Sequence, residues 1–178
     1  MDISEMLQLG IEASIALAGF AGVIATYQTG EGNRFRRGSV AAVTVITRCS
    51  LLVGFACAMV MLLQTFGIQG SILWAISSAA GAAMMASVAV SIARSMRGEK
   101  YKGLSRLLYV SLQSLGVLVV VALVLNAVGI VFDREPGPFI AAAVYGLSLA
   151  GIMFSRLLLR PLWQMVHELE SGQVRPPG

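Results

Sequence analysis

The chain has 178 residues, of which 57% are hydrophobic and only 12% are charged, and its formal net charge is +4. This length fits one domain, and the charged fraction is about half of the ~25% found in soluble domains. These values exclude a soluble enzyme, a disordered chain and a nucleic-acid-binding domain. They predict an all-α polytopic membrane protein.

Five apolar stretches are long enough to cross the hydrocarbon core of a bilayer, which takes about 20 helical residues. None of them alternates polar and apolar residues as the strands of a membrane barrel do. The sequence therefore predicts a five-span transmembrane domain over residues 1–159. Its helices are expected at about residues 3–27, 40–68, 71–93, 107–132 and 139–159.

The connections between these stretches differ sharply in positive charge. Counted along the chain, the N-terminus and the second loop hold no Arg or Lys, the first loop holds three, the third region five, the fourth loop one and the C-terminus three. By the positive-inside rule, we expect the N-terminus outside and the C-terminus in the cytoplasm of a bacterium, with the protein in its inner membrane. The basic third region is expected to contact anionic lipid. Its members are Arg94, Arg97, Lys100, Lys102 and Arg106.

The last apolar stretch is followed by a proline, Pro161, which is expected to kink or restart the helix. Apolar residues then recur on one helical face, at Leu162, Met165, Val166 and Leu169. This pattern predicts a short amphipathic helix over 160–172 on the cytoplasmic membrane surface, followed by a tail at 173–178. His167, the only histidine, falls on the polar side of that helix and is interpreted as a solvated residue.

Two ionisable residues lie inside the predicted spans, Glu12 and Arg48, and such residues are usually functional because they are costly in hydrocarbon. Glu12 belongs to a stripe that recurs at three- and four-residue steps along the first stretch. The members of this stripe are Glu5, Gln8, Glu12, Ala16, Gly19, Val23 and Thr26. The stripe could line a water-filled path or form a packing seam between helices or subunits. Alternatively, its acidic members simply lie near the outer headgroups.

Arg48 lies about nine residues from the cytoplasmic end of the second stretch, and Glu12 lies about fifteen residues from the same side. These positions correspond to depths of ~13 Å and ~22 Å. A salt bridge between the two side chains would therefore need helix tilt or a shift of the helix boundaries. The alternatives are that Arg48 extends to the cytoplasmic headgroups on its long stem, or that it faces a pore.

Other polar residues of the spans are interpreted as packing groups. Gln113 and Asn126 are thirteen residues apart on the fourth stretch, so their faces differ by ~140° and they cannot line one narrow path. We expect them to form hydrogen bonds between helices. Small residues at four-residue spacing on the third stretch, such as Ser77 and Gly81, predict a closely packed helix rather than a substrate groove.

No pattern in the sequence indicates a metal site, a cofactor or a catalytic group. Cys49 and Cys57 are eight residues apart on one stretch, which is ~12 Å along a helix and too far for a disulfide. There is no Cys/His cluster, and the single histidine has no nearby nucleophile. We therefore expect no enzymatic activity and no bound metal or cofactor.

The surplus of small and polar helix faces predicts self-association into a homo-oligomer. The first hypothesis is an ion or small-solute channel, with the stripe of Glu12 near the outer mouth and Arg48 deeper in the pathway. The alternative is a non-conducting scaffold or regulatory subunit that binds lipid or a partner protein. A secondary transporter is disfavoured because the sequence has no internal repeat and no broken helices.

Overall fold

The computed structural model describes the backbone of residues 2–30, 37–96 and 104–170, and the side chains of residues 2–26, 42–91, 94 and 110–159. All regular structure in this part of the chain is helical. The five helices are α1 (Ile3–Gly30), α2 (Arg37–Thr65), α3 (Gly70–Met96), α4 (Leu104–Val128) and α5 (Gly137–Glu170). The predicted all-helical fold class is confirmed.

Each helix contains an apolar segment of 19 to 24 residues that is long and apolar enough to cross a membrane. At 1.5 Å per residue these segments measure about 28–36 Å, which matches a hydrocarbon core of about 30 Å. The segments are Ile3–Thr26, Ala42–Thr65, Gly70–Ser91, Val110–Val128 and Gly137–Leu159. Length and composition therefore support an integral membrane protein.

Four of the helices form a closed ring. In the described part of the chain, α2 packs against α3, α3 against α4, α4 against α5, and α5 against α2. The helix α1 lies outside this ring, in the seam between α2 and α5, and its described residues contact neither α3 nor α4. One side of α1 is therefore buried against the bundle and the other is left on its surface.

Glycines and other small residues let α1 approach α2 closely. A Cβ placed on Gly10 would lie 3.0 Å from the Cys57 sulfur, and one placed on Gly54 would lie 3.0 Å from the Ser14 Cβ. As the position on α1 rises, the position opposite it on α2 falls, so the two helices are antiparallel. Helices associate in lipid through close approach of this kind, because burial of apolar surface gives no net driving force for association there.

The helix α5 packs on the opposite side of the same seam. A Cβ placed on Gly146 would lie 2.6 Å from the Val53 Cγ2, so the Val53 side chain packs directly against the backbone of α5. Further along, the Phe154 ring lies 6.2 Å from that of Phe20, measured between centroids. Because Gly54 faces Ser14, Val53 and Gly146 are level with about residue 15 of α1. Positions on α1 and α5 therefore rise together toward Phe20 and Phe154, and the two helices are parallel.

Two apolar clusters fill the interior of the bundle. One is built around Leu7, Val60, Trp74, Leu123 and Phe139, and the other is built around Ala21, Ile46, Cys49, Leu149 and Leu157. The buried polar residues of the described part are few and do not form a continuous path. They are Ser14, Ser50, Ser77, Ser78 and Asn126. A polar passage through a single bundle is therefore absent from the described residues.

The helices α2 and α4 end three and four residues earlier than the sequence predicted. Gly67 follows α2 with a φ of 79°, and the Ile68 N–H donates to the Leu63 carbonyl at 3.1 Å. This is a Schellman motif, in which a glycine adopts the left-handed conformation that ends a helix. Gly129, with a φ of 81°, ends α4 in the same way. The apolar residues after each glycine lengthened the predicted spans but belong to turns.

The predicted restart at Pro161 is not observed, because α5 is one continuous helix of 34 residues. A proline inside a helix leaves a carbonyl without its usual donor, and this loss is tolerated in helices of membrane proteins. A separate helix over 160–172 is therefore not seen. The side chains beyond residue 159 and the tail at 173–178 lie outside the described set, so the amphipathic surface segment stays a prediction.

Candidate functional site

Every member of the predicted stripe on α1 lies on the surface of the bundle. Its members Glu5, Gln8, Glu12, Ala16, Gly19, Val23 and Thr26 are all exposed. The opposite side of the helix is buried, and Ser14 at its centre is only 2% exposed. At 100° per residue, Ser14 lies ~160° around the helix from Glu12. The stripe therefore points directly away from the seam between α2 and α5.

The acidic side chains of the stripe bond only to neighbours on their own helix within the described residues. The Gln8 Nε2 donates to Glu12 Oε1 at 3.1 Å, and the Asp2 N–H donates to Glu5 Oε2 at 3.1 Å. Glu12 lies nine residues from Ile3, where the span begins, which is ~14 Å and close to the middle of a bilayer. A carboxylate at this depth on a lipid-facing surface would be costly.

Two glycines of α1 have no neighbour to fill the space beside them. A Cβ placed on Gly19 or Gly22 would meet nothing within 4 Å, whereas those on Gly10, Gly54 and Gly146 would each meet a side chain of a packed helix. A glycine inside a helix costs about 1 kcal/mol relative to alanine. An open glycine on the stripe leaves room for another helix to approach.

Arg48 lies on a different face, between α2 and α3. Its guanidinium donates to the Ser91 Oγ of α3. Because Gly54 faces Ser14 and the two helices are antiparallel, Arg48 is level with residue 20 of α1, about eight residues or ~12 Å from Glu12. The structure therefore does not bring Glu12 and Arg48 together, and neither side chain pairs with the other.

Asn126 is fully buried and satisfies its whole amide. Its Nδ2 donates to the Ser78 Oγ at 2.8 Å and to the Glu135 carbonyl at 2.9 Å, and its Oδ1 accepts from the Glu135 N–H at 3.1 Å. It thereby joins α4 to α3 and to the connection between α4 and α5. Sequence reasoning singled out Ser77 rather than its neighbour Ser78.

The other predicted packing residues differ in what they contact. Ser77 is buried, but its hydroxyl has no hydrogen-bond partner in the described part of the chain. Gln113 is half-buried, and no hydrogen bond to it is found among the described residues. Gly81 packs against Leu123 and Phe139, whose side chains would lie 3.6 Å and 3.8 Å from a Cβ placed on it.

Tyr145 is a polar contact of the bundle that sequence reasoning missed. Its hydroxyl donates to the Leu112 carbonyl of α4 at 2.7 Å. The bond needs Gly116, because a Cβ there would lie 2.8 Å from the tyrosine oxygen. The only sequence signal was a glycine near the middle of the fourth stretch, and it does not reveal which side chain approaches it.

The predicted basic region is described at one side chain only. Arg94 lies near the end of α3 and is exposed. The side chains of the remaining members lie outside the described residues, and these are Arg97, Lys100, Lys102 and Arg106. Contact of this region with anionic lipid therefore stays a prediction.

Among the described residues, no group of three or more His, Cys, Asp or Glu side chains could hold a metal ion. Both cysteines are buried and unpaired. No protein-family model matches the chain, and no similar curated protein or solved structure was found. The candidate site is therefore the exposed polar stripe of α1.

Proposed function

We propose that this protein is a homo-oligomeric channel for an ion or small solute, and that its copies meet through α1. The observation that carries the proposal is the polar stripe of α1, which is exposed from Glu5 to Thr26 and points away from its own bundle. Polar and ionisable residues inside a membrane almost always face a protein interior or a water-filled cavity. Further copies of the chain supply that environment when their stripes turn toward a common axis.

The order of residues along the stripe supports a pathway that is most polar in the half where α1 begins. Glu5, Gln8 and Glu12 occupy this half, and Ala16 and Gly19 follow in the other. In a symmetric ring, the Glu12 carboxylates of all copies lie at one depth, so their mutual repulsion favours water or a counter-ion between them. Rings of carboxylates are a common feature of cation pathways.

A non-conducting scaffold or regulatory subunit, which binds lipid or a partner protein, is the second candidate. It is favoured by the small residues Ala16 and Gly19, because they allow two α1 helices to pack into a dry seam. A dry seam along the whole stripe would leave Glu12 between the copies without water. Measured flux separates the two candidates.

The direct test is flux through purified protein in liposomes, comparing Glu12→Gln with a matched control, Glu135→Gln. Glu135 is also exposed, but it lies off α1 and its backbone makes the bonds to Asn126. We expect Glu12→Gln to change the flux by about tenfold, as loss of a focusing charge does. A cation flux falls and an anion flux rises. Equal flux in both variants would contradict a pathway along the stripe.

Assembly is tested separately with Gly19→Leu and Gly151→Leu. A Cβ at either glycine meets no described atom within 4 Å, so we expect both leucine variants to fold, but only Gly19 lies on the stripe. We expect Gly19→Leu to lower the oligomer mass measured by light scattering in detergent and to abolish flux, and Gly151→Leu to change neither. An oligomer without flux would favour the scaffold, and unaltered assembly of Gly19→Leu would contradict the α1 interface.

The proposed orientation places the N-terminus outside and the C-terminus in the cytoplasm, with the protein in a bacterial inner membrane. The distribution of Arg and Lys supports it, because the connections on one side hold almost all of them. The amphipathic pattern over 160–172 supports contact with the cytoplasmic membrane surface, which requires the continuous helix α5 to bend after its membrane span ends at Leu159. Reporters fused to Met1 and to Gly178 should report from opposite compartments, and reports from the same compartment would refute the orientation.

A further inference from the structure

Arg48 is a cation within a membrane span that has no carboxylate partner among the described residues. It lies six residues from Ala42, where its span begins, a depth of ~9 Å. Its one hydrogen bond in the described part is the bond to Ser91 Oγ. A guanidinium has five N–H donors, and Arg48 is exposed. Most of its hydrogen-bonding capacity is therefore not used by the described residues.

A second cation lies at the same edge of the bundle. Arg94 follows Ser91 by three residues on α3 and is exposed. Residues three apart on a helix are surface neighbours, with Cβ atoms about 5–6 Å apart. The seam between α2 and α3 therefore presents two guanidinium groups and a hydroxyl near the membrane boundary, at the end of the bundle where α2 begins.

An apolar crevice lies deeper in the bundle than Arg48. On α2 its lining runs from Leu52, four residues from Arg48, to Ala56, eight residues from it, and all of the residues that line it are apolar. Its interior volume is about 30 Å³, which is room for about two water-sized groups, so it can seat only a short part of an acyl chain. The helices α2, α3 and α5 form its walls. Its lining includes Val53, Ala56, Met84, Met85 and Ala143.

We propose that this seam binds one anionic phospholipid, with the headgroup phosphate on Arg48 and Arg94 and a short part of an acyl chain seated against the crevice. Arginine matches phosphate oxygens with paired, charge-assisted hydrogen bonds. The long stem of Arg48 allows its guanidinium to reach the headgroup layer, and the crevice begins one helical turn deeper, at Leu52. Positive charge beside an apolar wall is complementary to a molecule that is anionic at one end and apolar along the rest.

The charge half of the proposal is tested by native mass spectrometry of the full chain in detergent, titrated with phosphatidylglycerol, phosphatidylcholine or inorganic phosphate. We expect phosphatidylglycerol to bind most tightly. Arg48→Gln should weaken its binding about fivefold, the effect of one surface cation on anionic lipid, and Arg94→Gln should act in the same direction. The control is Arg156→Gln, an exposed arginine of α5 near the same end of the bundle, which should leave affinity unchanged. Equal losses in Arg48→Gln and Arg156→Gln would overturn the site, because they would indicate diffuse surface charge.

The apolar half is tested with Ala143→Leu, which fills the crevice, and Ala141→Leu, which adds the same group at an exposed position of α5. We expect only Ala143→Leu to weaken phosphatidylglycerol binding. If inorganic phosphate binds as tightly as phosphatidylglycerol and Ala143→Leu has no effect, the ligand is a free anion and the lipid site is refuted. Arg94→Gln and Ala143→Leu keep the test decisive even if Arg48→Gln fails to fold.

Discussion

Asn126 joins three elements at one end of the bundle, so its replacement measures how much buried polar contacts stabilise this fold. Its amide makes one hydrogen bond to the Ser78 hydroxyl and two to the Glu135 backbone. Hydrogen bonds between membrane helices contribute ~0.6 kcal/mol on average and up to ~1.7 kcal/mol. Three such bonds, together with the unpaired groups that their loss leaves buried, correspond to about 2 kcal/mol. Asn126→Leu removes all three at similar volume, so we expect the free energy of unfolding to fall by about that amount.

The assay is equilibrium unfolding in mixed micelles, followed by circular dichroism and compared with Gln113→Leu. Gln113 lies on the same helix, and its variant also replaces an amide side chain with leucine. It is half-buried and makes no hydrogen bond within the described residues. Its variant should stay within about 0.5 kcal/mol of the parent. A double-mutant cycle of Asn126→Leu with Ser78→Ala should give a coupling of about 0.5–1.7 kcal/mol. A loss in Asn126→Leu no greater than in Gln113→Leu would refute the reasoning.

Two further predictions concern α5. Gly146→Ala forces a Cβ to within 2.6 Å of the Val53 Cγ2, so it should lower the free energy of unfolding by about 1–3 kcal/mol through overpacking. Gly151→Ala, with open space beside it, should be neutral or stabilising by up to about 1 kcal/mol, and similar unfolding energies for the two would contradict the close seam. Tyr145→Phe removes the 2.7 Å bond to the Leu112 carbonyl and should cost about 0.5–1.5 kcal/mol in the same assay. An unchanged value would mean that this bond contributes nothing.

The number and type of the elements could be predicted from the sequence, because a long apolar run in a bilayer satisfies its backbone only as a helix. The ends of the helices were predicted less accurately. Gly67 and Gly129 lie just after the ends of α2 and α4, and each could have been interpreted as a helix-ending glycine. The spans predicted from hydropathy were too long at these ends, because hydropathy does not distinguish an apolar turn from an apolar helix.

The partners of polar residues could not be predicted, because they depend on the rotation of each helix about its axis. Ser77 and Ser78 are adjacent and chemically identical, but they point ~100° apart, and only Ser78 reaches Asn126. Similarly, the depths of Glu12 and Arg48 along their helices did not decide whether the two side chains are in contact. The two residues separate because α1 docks by its opposite face and Arg48 turns toward α3.

The helix α1 has two faces suited to close packing, and the chain uses one of them. Gly10 lies on the face that contacts α2, whereas Gly19 lies on the exposed stripe with nothing beside it. Because α2, α3, α4 and α5 close into a ring by their own contacts, anything that binds the stripe can do so without opening that ring. We therefore expect substitutions at Gly10 to act on the fold of the single chain, and substitutions at Gly19 to act on the proposed association through α1. This separation allows the proposed association through α1 to be tested without destabilising the bundle.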